Sequence, residues 1–329
     1  MLIHPEIIST NCTGEYNWNN GYIKTSRIKL INTQKNVQPE LVVYGGATRF
    51  ETAVELSKSK FNTSDSVVLI NKNSIFDGIA ATPLATALGA PILYTEAGYL
   101  QQSTKNEIAR LKPSKIIVIG GTGVVKDEVV NEIKDMGIST VERLGGATRY
   151  DTALEVAKYI DKNCYDVTDV FIVNGTADAD AMSVGAVGGM KSMPILLTTK
   201  NKIPDNNYNW LASEQLNDGY IIGGTGIVSD KVVNSLNLIT NKNITSNRIG
   251  GVDRQETNAL IINKFYSKNV SAVYTARSHI LFDALAVGPI AAMDQSPVVL
   301  INQDINNKQK EVLNGVISRK VIQVGLDFP

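Results

Sequence analysis

Histidine is nearly absent from this chain: only His4 and His279 occur among its 329 residues. That shortage nearly excludes a His-based metal site or a Ser-His-Asp triad. Cysteine is as scarce. Cys12 and Cys164 lie far apart, do not repeat, and form neither a metal nor a redox motif. No apolar run reaches the roughly 20 residues that a bilayer crossing needs, so no membrane span is expected. Charge of one sign is not in excess: Lys+Arg and Asp+Glu are equal at 32 each. With no global basic field, nucleic acid is not an expected partner, and any attraction to an anion must come from local clusters. The opening Met1-Leu2-Ile3-His4-Pro5-Glu6 lacks the basic-then-apolar order of a signal peptide and reads as the start of a processed or excised fragment.

What the chain has in plenty is repetition. A Gly-Gly-x-x-Arg element occurs as Gly45–Arg49, Gly145–Arg149 and Gly250–Arg254. An acidic residue follows each copy (Asp77, Asp180, Asp283), and then a proline-led apolar strand at 91–94, 194–197 and 297–300. The step from Asp to Pro is 14 residues every time, and both anchors move by 103 from copy to copy. Three landmarks held in register define three units of about 100 residues, each near the size of a small domain. The boundaries fall at 1–39 (an N-terminal extension or the tail of a preceding domain, with some β structure), 40–141, 142–246 and 247–329. The third unit is shortened: it stops at Val324–Pro329, where the others run on from Ile119-Gly120-Gly121 and Ile222-Gly223-Gly224.

The second unit is the clearest to read. Helical spacing runs from Arg149 to Ile160, with a short buried strand over 169–174 and a small-residue helix over 180–190. A proline-led strand at 194–199 and a helix at 205–216 come next. Strand and turn cover 220–226, a helix lies near 228–236, and a strand at 246–249 opens the third unit. Strands that are nearly continuous in apolar residues and alternate with helices predict a parallel sheet covered on both faces. The fold class is therefore α/β, with three tandem doubly wound, Rossmann-like units.

The glycines of Gly-Gly-x-x-Arg end a strand and turn the chain into a helix. Thr48, Thr148 and Asp253 stand at the N-cap position, with Glu51, Asp151 and Glu256 three residues on, a capping-box pattern. The arginines are harder to explain. Arg49, Arg149 and Arg254 fall in the first helical turn, where the dipole disfavours a cation by up to about 1 kcal/mol. Two readings stay open: a salt bridge to a carboxylate across the contact between units, or an anion clamp that uses the guanidinium fork. Asp77, Asp180 and Asp283 are read as helix N-caps, as partners of the arginines or as acceptors of sugar hydroxyls. Both sets of loops leave the carboxyl ends of parallel strands, the edge where open α/β sheets bind ligands. The Gly-Gly-Thr-Gly turns at 120–123 and 223–226 look like phosphate cradles but match neither the dinucleotide nor the P-loop pattern, so tight turns are the simpler reading. No nucleophile elbow or ligand cluster is present, and no cofactor is called for. A sugar-phosphate or nucleotide enzyme built on the Gly-Gly-Thr-Gly turns is the alternative.

Arg143-Leu-Gly-Gly-Ala-Thr-Arg-Tyr-Asp-Thr-Ala153, Arg248–Arg254 and the proline-led strands closely resemble the type 2 cell-wall-binding repeat of Gram-positive S-layer and cell-wall proteins. The resemblance spans about residues 40–329, in three tandem copies. It implies a pseudo-threefold ring of Rossmann-like units that is non-catalytic and holds a surface protein to the wall without a covalent bond. It further implies secretion, with any signal peptide removed. The implied partner is an anionic, teichoic-acid-like secondary cell-wall polysaccharide, with neighbouring S-layer proteins as further partners. Ligand contacts would fall on the Gly-Gly-x-x-Arg loops and the proline-led strands, with Arg49, Arg149 and Arg254 foremost. Gln255 departs from the aromatic present as Phe50 and Tyr150, and Val43-Tyr44 replaces the Arg-Leu of the second copy. The first and third sites are therefore expected to be weaker than the second.

Overall fold

The structure, a computed structural model, describes residues 39–325. The extension expected over 1–39 lies outside the described residues except for Pro39. The chain opens with β1 (Glu40–Tyr44) and α1 (Arg49–Lys60), then β2 (Ser66–Asn71), α2 (Ile75–Ile79), α3 (Ala81–Ala87), β3 (Ile92–Thr95), α4 (Gln102–Leu111), β4 (Lys115–Ile119) and α5 (Asp127–Asp135). The pattern recurs as β5 (Thr140–Leu144), α6 (Arg149–Asn163), β6 (Asp169–Asn174), α7 (Asp178–Met182), α8 (Gly185–Met190), β7 (Ile195–Thr198), α9 (Asp205–Ser213), β8 (Asp218–Ile222) and α10 (Asp230–Leu236). It recurs again as β9 (Arg248–Ile249), α11 (Arg254–Phe265), β10 (Val273–Arg277), α12 (Leu281–Met293), β11 (Val298–Ile301), α13 (Asn307–Leu313) and β12 (Lys320–Val324).

Three four-stranded parallel sheets result, in the orders β3-β2-β4-β5, β7-β6-β8-β9 and β11-β10-β12-β1. Val67–Ile70 and Ile116–Ile119 are wholly buried, as strands covered on both faces must be. The sheets are offset from the repeats by one strand. The strand that leads into each Gly-Gly-x-x-Arg loop is bonded to the sheet of the unit before it: β5 pairs with β4, and β9 with β8. The third sheet obtains its fourth strand from the far end of the chain, where β1 pairs with β12 from Glu40↔Lys320 to Tyr44↔Val324. The sheet of the unit that is short in sequence thus has its four strands, and the three units close into a ring.

One continuous apolar core runs through all three sheets, and a smaller one sits in the third unit. At the centre α3, α8 and α12 pack on one another. Equivalent positions meet there in layers. Thr82, Gly185 and Gly288 form one: a Cβ on Gly288 would lie 2.7 Å from Thr82 Cγ2. Thr86, Gly189 and Ala292 form the next, where a Cβ on Gly189 would lie 2.3 Å from Thr86 Oγ1. The small-residue helix expected over 180–190 is broken at Ser183–Val184 into α7 and α8. Its glycines are poor helix formers, retained because the axis has no room for side chains.

Closure by β1 carries an expectation. Removing residues 40–44 strips one flank of β12 and exposes its unpaired edge. The truncated protein should melt at a lower temperature in a thermal scan and self-associate in sedimentation, whereas the full chain stays at its original mass.

Candidate functional site

The second glycine of each Gly-Gly pair makes room for the helix cap that follows. A Cβ on Gly46, Gly146 or Gly251 would run into the Cβ of Glu51, Asp151 or Glu256 at 2.2, 2.2 and 2.5 Å. The first glycine seals the joint between units. A Cβ on Gly145 would lie 2.4 Å from the Gly120 carbonyl carbon, and one on Gly250 2.4 Å from the Gly224 nitrogen. The second and third Gly-Gly-x-x-Arg loops therefore lie flat on the Gly-Gly-Thr-Gly turns of the units before them. Gly120 and Gly223 hold φ of 112° and 107°, and their N–H groups donate to Leu144 and Ile249 carbonyls at 2.8 Å. With the N–H of its first glycine engaged in this way, each turn serves as a strand-to-helix junction. Arg143 and Arg248 reinforce the joint, donating to the Gly120 and Gly223 carbonyls at 3.1 and 3.0 Å and pairing with Asp127 and Asp230 at 2.9 and 2.8 Å.

The N-cap expectation for Thr48, Thr148 and Asp253 matches the geometry. The Glu51 carboxylate accepts from the Thr48 N–H at 2.8 Å, Asp151 accepts from the Thr148 N–H at 3.1 Å, and the Asp253 carboxylate accepts from the Glu256 N–H at 2.7 Å. All three cap residues are exposed.

The three arginines occupy the first position of α1, α6 and α11 and reach outward from the cap. Arg49 donates to the Lys72 carbonyl, Arg149 to Gly175 at 2.8 Å and Arg254 to Ser278 at 3.1 Å. Each acceptor closely follows the carboxyl end of a central strand, and this contact offsets the unfavourable helix dipole. Among the described residues none of the three makes a direct ion pair; each instead attracts the Asp of another unit through space, so the cross-unit pairing is a loose one. Arg149 and Arg254 are exposed, and Arg49 is half-buried. Two of them lie over aromatic rings of another unit: Arg149 sits 4.2 Å from the Phe76 ring centre and Arg49 4.2 Å from that of Phe282. Tyr94 backs the second ring edge-on at 5.6 Å, and its hydroxyl donates to the Phe282 carbonyl. Phe76 and Phe282 stand one residue before Asp77 and Asp283; the matching residue before Asp180 is Ala179, so Arg254 has no such platform.

The acidic residues do not cap helices. Asp77, Asp180 and Asp283 lie at the third position of α2, α7 and α12, turned toward the next unit. Burial raises Asp77, opposed by the Thr152 hydroxyl and Arg149; burial raises Asp180, opposed by Thr257 and Arg254. Burial pushes Asp283 up to about 6, against the pull of Arg277 and Arg49. Arg277 comes within 4.0 Å of Asp283. It stands where the other units have Asn71 and Asn174, whose amides donate to Val124 and Ile227 carbonyls at 2.7 and 2.6 Å. Each Arg–Asp set is thus built from two units: Arg149 with Asp77, Arg254 with Asp180, and Arg49 with Asp283 across the ring closure. The two residue types do share a face, as the sheet-edge argument expects.

The proline-led strands lie beneath this face, and Tyr94 supports it through its contacts with Phe282. Pro91–Thr95 and Pro194–Thr198 are buried throughout and belong to the core. An external polymer would have to meet the loops, not these strands.

The raised Asp283 carries a sign. Its folded form holds a proton that the unfolded chain has already released, so it subtracts stability as pH rises from about 4 to about 6. Asp283→Asn removes that slope. Relative to the parent, the variant should gain stability between pH 4 and pH 7, up to about 2–3 kcal/mol as a ceiling. Urea melts at the two pH values measure it; a pH-independent difference would mean the carboxyl titrates normally.

Among the described residues no group of three or more His, Cys, Asp or Glu could hold a metal ion, and no helix is long and apolar enough to cross a membrane. The family model described as "Cell wall binding domain 2 (CWB2)" matches residues 44–130, 143–233 and 248–326. The chain is 33% identical to the N-acetylmuramoyl-L-alanine amidase LytC of Bacillus subtilis over 258 residues, 78% of this chain and 49% of that protein. It is 32% identical to the amidase enhancer of the same organism, over 79% of this chain and 34% of that protein. It therefore spans half or less of the length of these curated relatives. Among solved structures, Cwp6 from Clostridium difficile superposes with a TM-score of 0.86 at 35% identity, covering 98% of this chain and 49% of that one. Cwp8 from the same organism gives 0.79 at 32% identity, covering 88% and 49%.

Proposed function

The chain belongs to the cell wall binding domain 2 family, and on that premise we propose that its three inter-unit junctions grip an anionic secondary cell-wall glycopolymer. The observation that carries the reading is the state of Arg49, Arg149 and Arg254. Each spends one N–H on a backbone carbonyl and, among the described residues, forms no direct ion pair, which leaves the rest of a five-donor guanidinium for a phosphate or carboxylate. Thr48, Thr148 and Asp253 fix the helix ends from which those arginines project. Asp77, Asp180 and Asp283 set the electrostatics beneath them, and the half-buried Asp180 accepts a sugar hydroxyl. Three modest sites on one rigid ring hold one polymer by avidity.

The module binds and does not catalyse. It forms part of a larger secreted surface protein, anchored to the wall without a covalent bond and standing beside neighbouring S-layer proteins. The test is co-sedimentation with purified walls before and after hydrofluoric acid strips the phosphodiester-linked polymers, each at low and high salt. Binding should fall on stripped walls and with rising salt. Equal retention on stripped walls would rule out the anionic polymer.

A further inference from the structure

The second unit carries a tryptophan, Trp210, whose counterparts in the other units are Glu107 and Leu313. Two helices of that unit, α6 and α9, enclose an open groove of about 550 Å³ beside the Gly145-Gly146 backbone. Asp151, Glu155 and Lys158 stand along one wall, at spacings that put them on one helical face, and Asn206, Asn209 and Trp210 stand along the other. The volume lies in the range of small-ligand sites, which join an apolar surface to a few convergent polar groups. Trp210 supplies the surface: half-buried, it packs against the core while lining the groove. Asn206 and Asn209 are exposed and supply amides.

Charge decides the class of ligand. Lys158 is paired with Glu155 at 3.1 Å, and Asp151 is engaged at the helix cap, so the lining carries one net negative charge. An anion is disfavoured there, in contrast to the neighbouring Arg149. A pyranose fits: it has an apolar C–H face for the indole and a rim of hydroxyls for amides and carboxylates. The residues equivalent to Trp210 are Glu107, buried in an ion pair with Arg110 at 2.7 Å, and Leu313, buried in the core, so the other units have no such surface.

We propose that this groove is a subsite for an uncharged sugar ring, adjacent to the Arg149 junction, so that the second unit reads sugar identity as well as charge. The inference rests on the polymer-binding reading above, and its test separates the two. Trp18 and Trp210 are the two tryptophans, and Trp18→Phe makes Trp210 the single reporter. The probes are neutral oligosaccharides released by hydrofluoric acid from walls that retain the protein, and N-acetylglucosamine oligomers. A saturable change in Trp210 emission, insensitive to salt and preserved in Arg149→Gln, is the expected result. Asn206→Ala with Asn209→Ala, on an exposed face, should weaken it by about tenfold, and Trp210→Ala should weaken wall retention by at least as much. No emission change with either probe at millimolar concentration overturns the subsite, as does a change produced only by cell-wall stem peptides. Failure of the anionic reading shows instead as salt-independent wall binding untouched by Arg149→Gln.

Discussion

Replacing Arg49, Arg149 and Arg254 together by Gln should abolish wall binding by two or more orders of magnitude while the protein stays folded. The size follows from avidity: three linked sites exceed any single one by about 10²–10⁴-fold, so disabling all three removes the multiplier along with the contacts. The fold should survive because each side chain contributes little internally. One carbonyl hydrogen bond, a ring contact at 4.2 Å for Arg49 and Arg149, and a through-space attraction to the Asp of another unit amount to about 1–2 kcal/mol each. The single variants should not be equal. Arg49 and Arg149 are held by Phe282 and Phe76 and arrive pre-aimed, whereas Arg254 has Ala179 beside it. Arg254→Gln should therefore cost least, and Ala179→Phe should strengthen that junction. Paired wall-binding isotherms and thermal melts check this. A triple variant that binds normally sinks the guanidinium reading, and one that unfolds returns the arginines to a structural role.

Gly189→Val should be the most damaging single change away from the binding face. Even a Cβ there would sit 2.3 Å from Thr86 Oγ1 and 2.9 Å from Ala292 Cβ, with side chains of all three units converging on one line. Overpacking a tight core costs about 1–3 kcal/mol and more where nothing can move. Here relief would require shifting α3, α8 and α12 apart. A loss above about 3 kcal/mol is expected by chemical denaturation. The cause is checked by a second change: Thr86→Gly should recover part of the loss in a Gly189→Ala background, because it empties the space the new methyl needs. Additive effects would place the damage elsewhere.

Much of this was legible from sequence because it is local and repeated. Strands β6 and β7 and helix α6 announced themselves through apolar runs and helical spacing, and the caps through Thr148 and Asp151. The ring itself was implied by family resemblance; its closing strand was not visible. The pairing of β1 with β12 joins residues at opposite ends of the chain, and no local pattern encodes that partnership. For the same reason β5 and β9 read as openings of new units when they complete old ones. The binding face was half visible. Arg and Asp stood out by register, but their pairing across units depends on the ring. The Phe-Asp dipeptides at 76–77 and 282–283, with Ala-Asp at 179–180, were the available signal for the aromatic platforms. Trp210 gave no signal to a search for repeats, since it occurs once.

The parallel pairing of β1 and β12 also sets how the ring would bear mechanical load. Glu40 lies beside Lys320 at the amino edge of the third sheet, and Tyr44 beside Val324 at the carboxyl edge, where the arginines project. A pull applied at Glu40, on a ring held by polymer at its opposite edge, runs along the axis of β1. The five paired positions are then loaded together in shear and not peeled apart one at a time. Tension from that side should meet the joint in its most resistant direction, and rupture forces should drop sharply when the same joint is pulled crosswise from Tyr44.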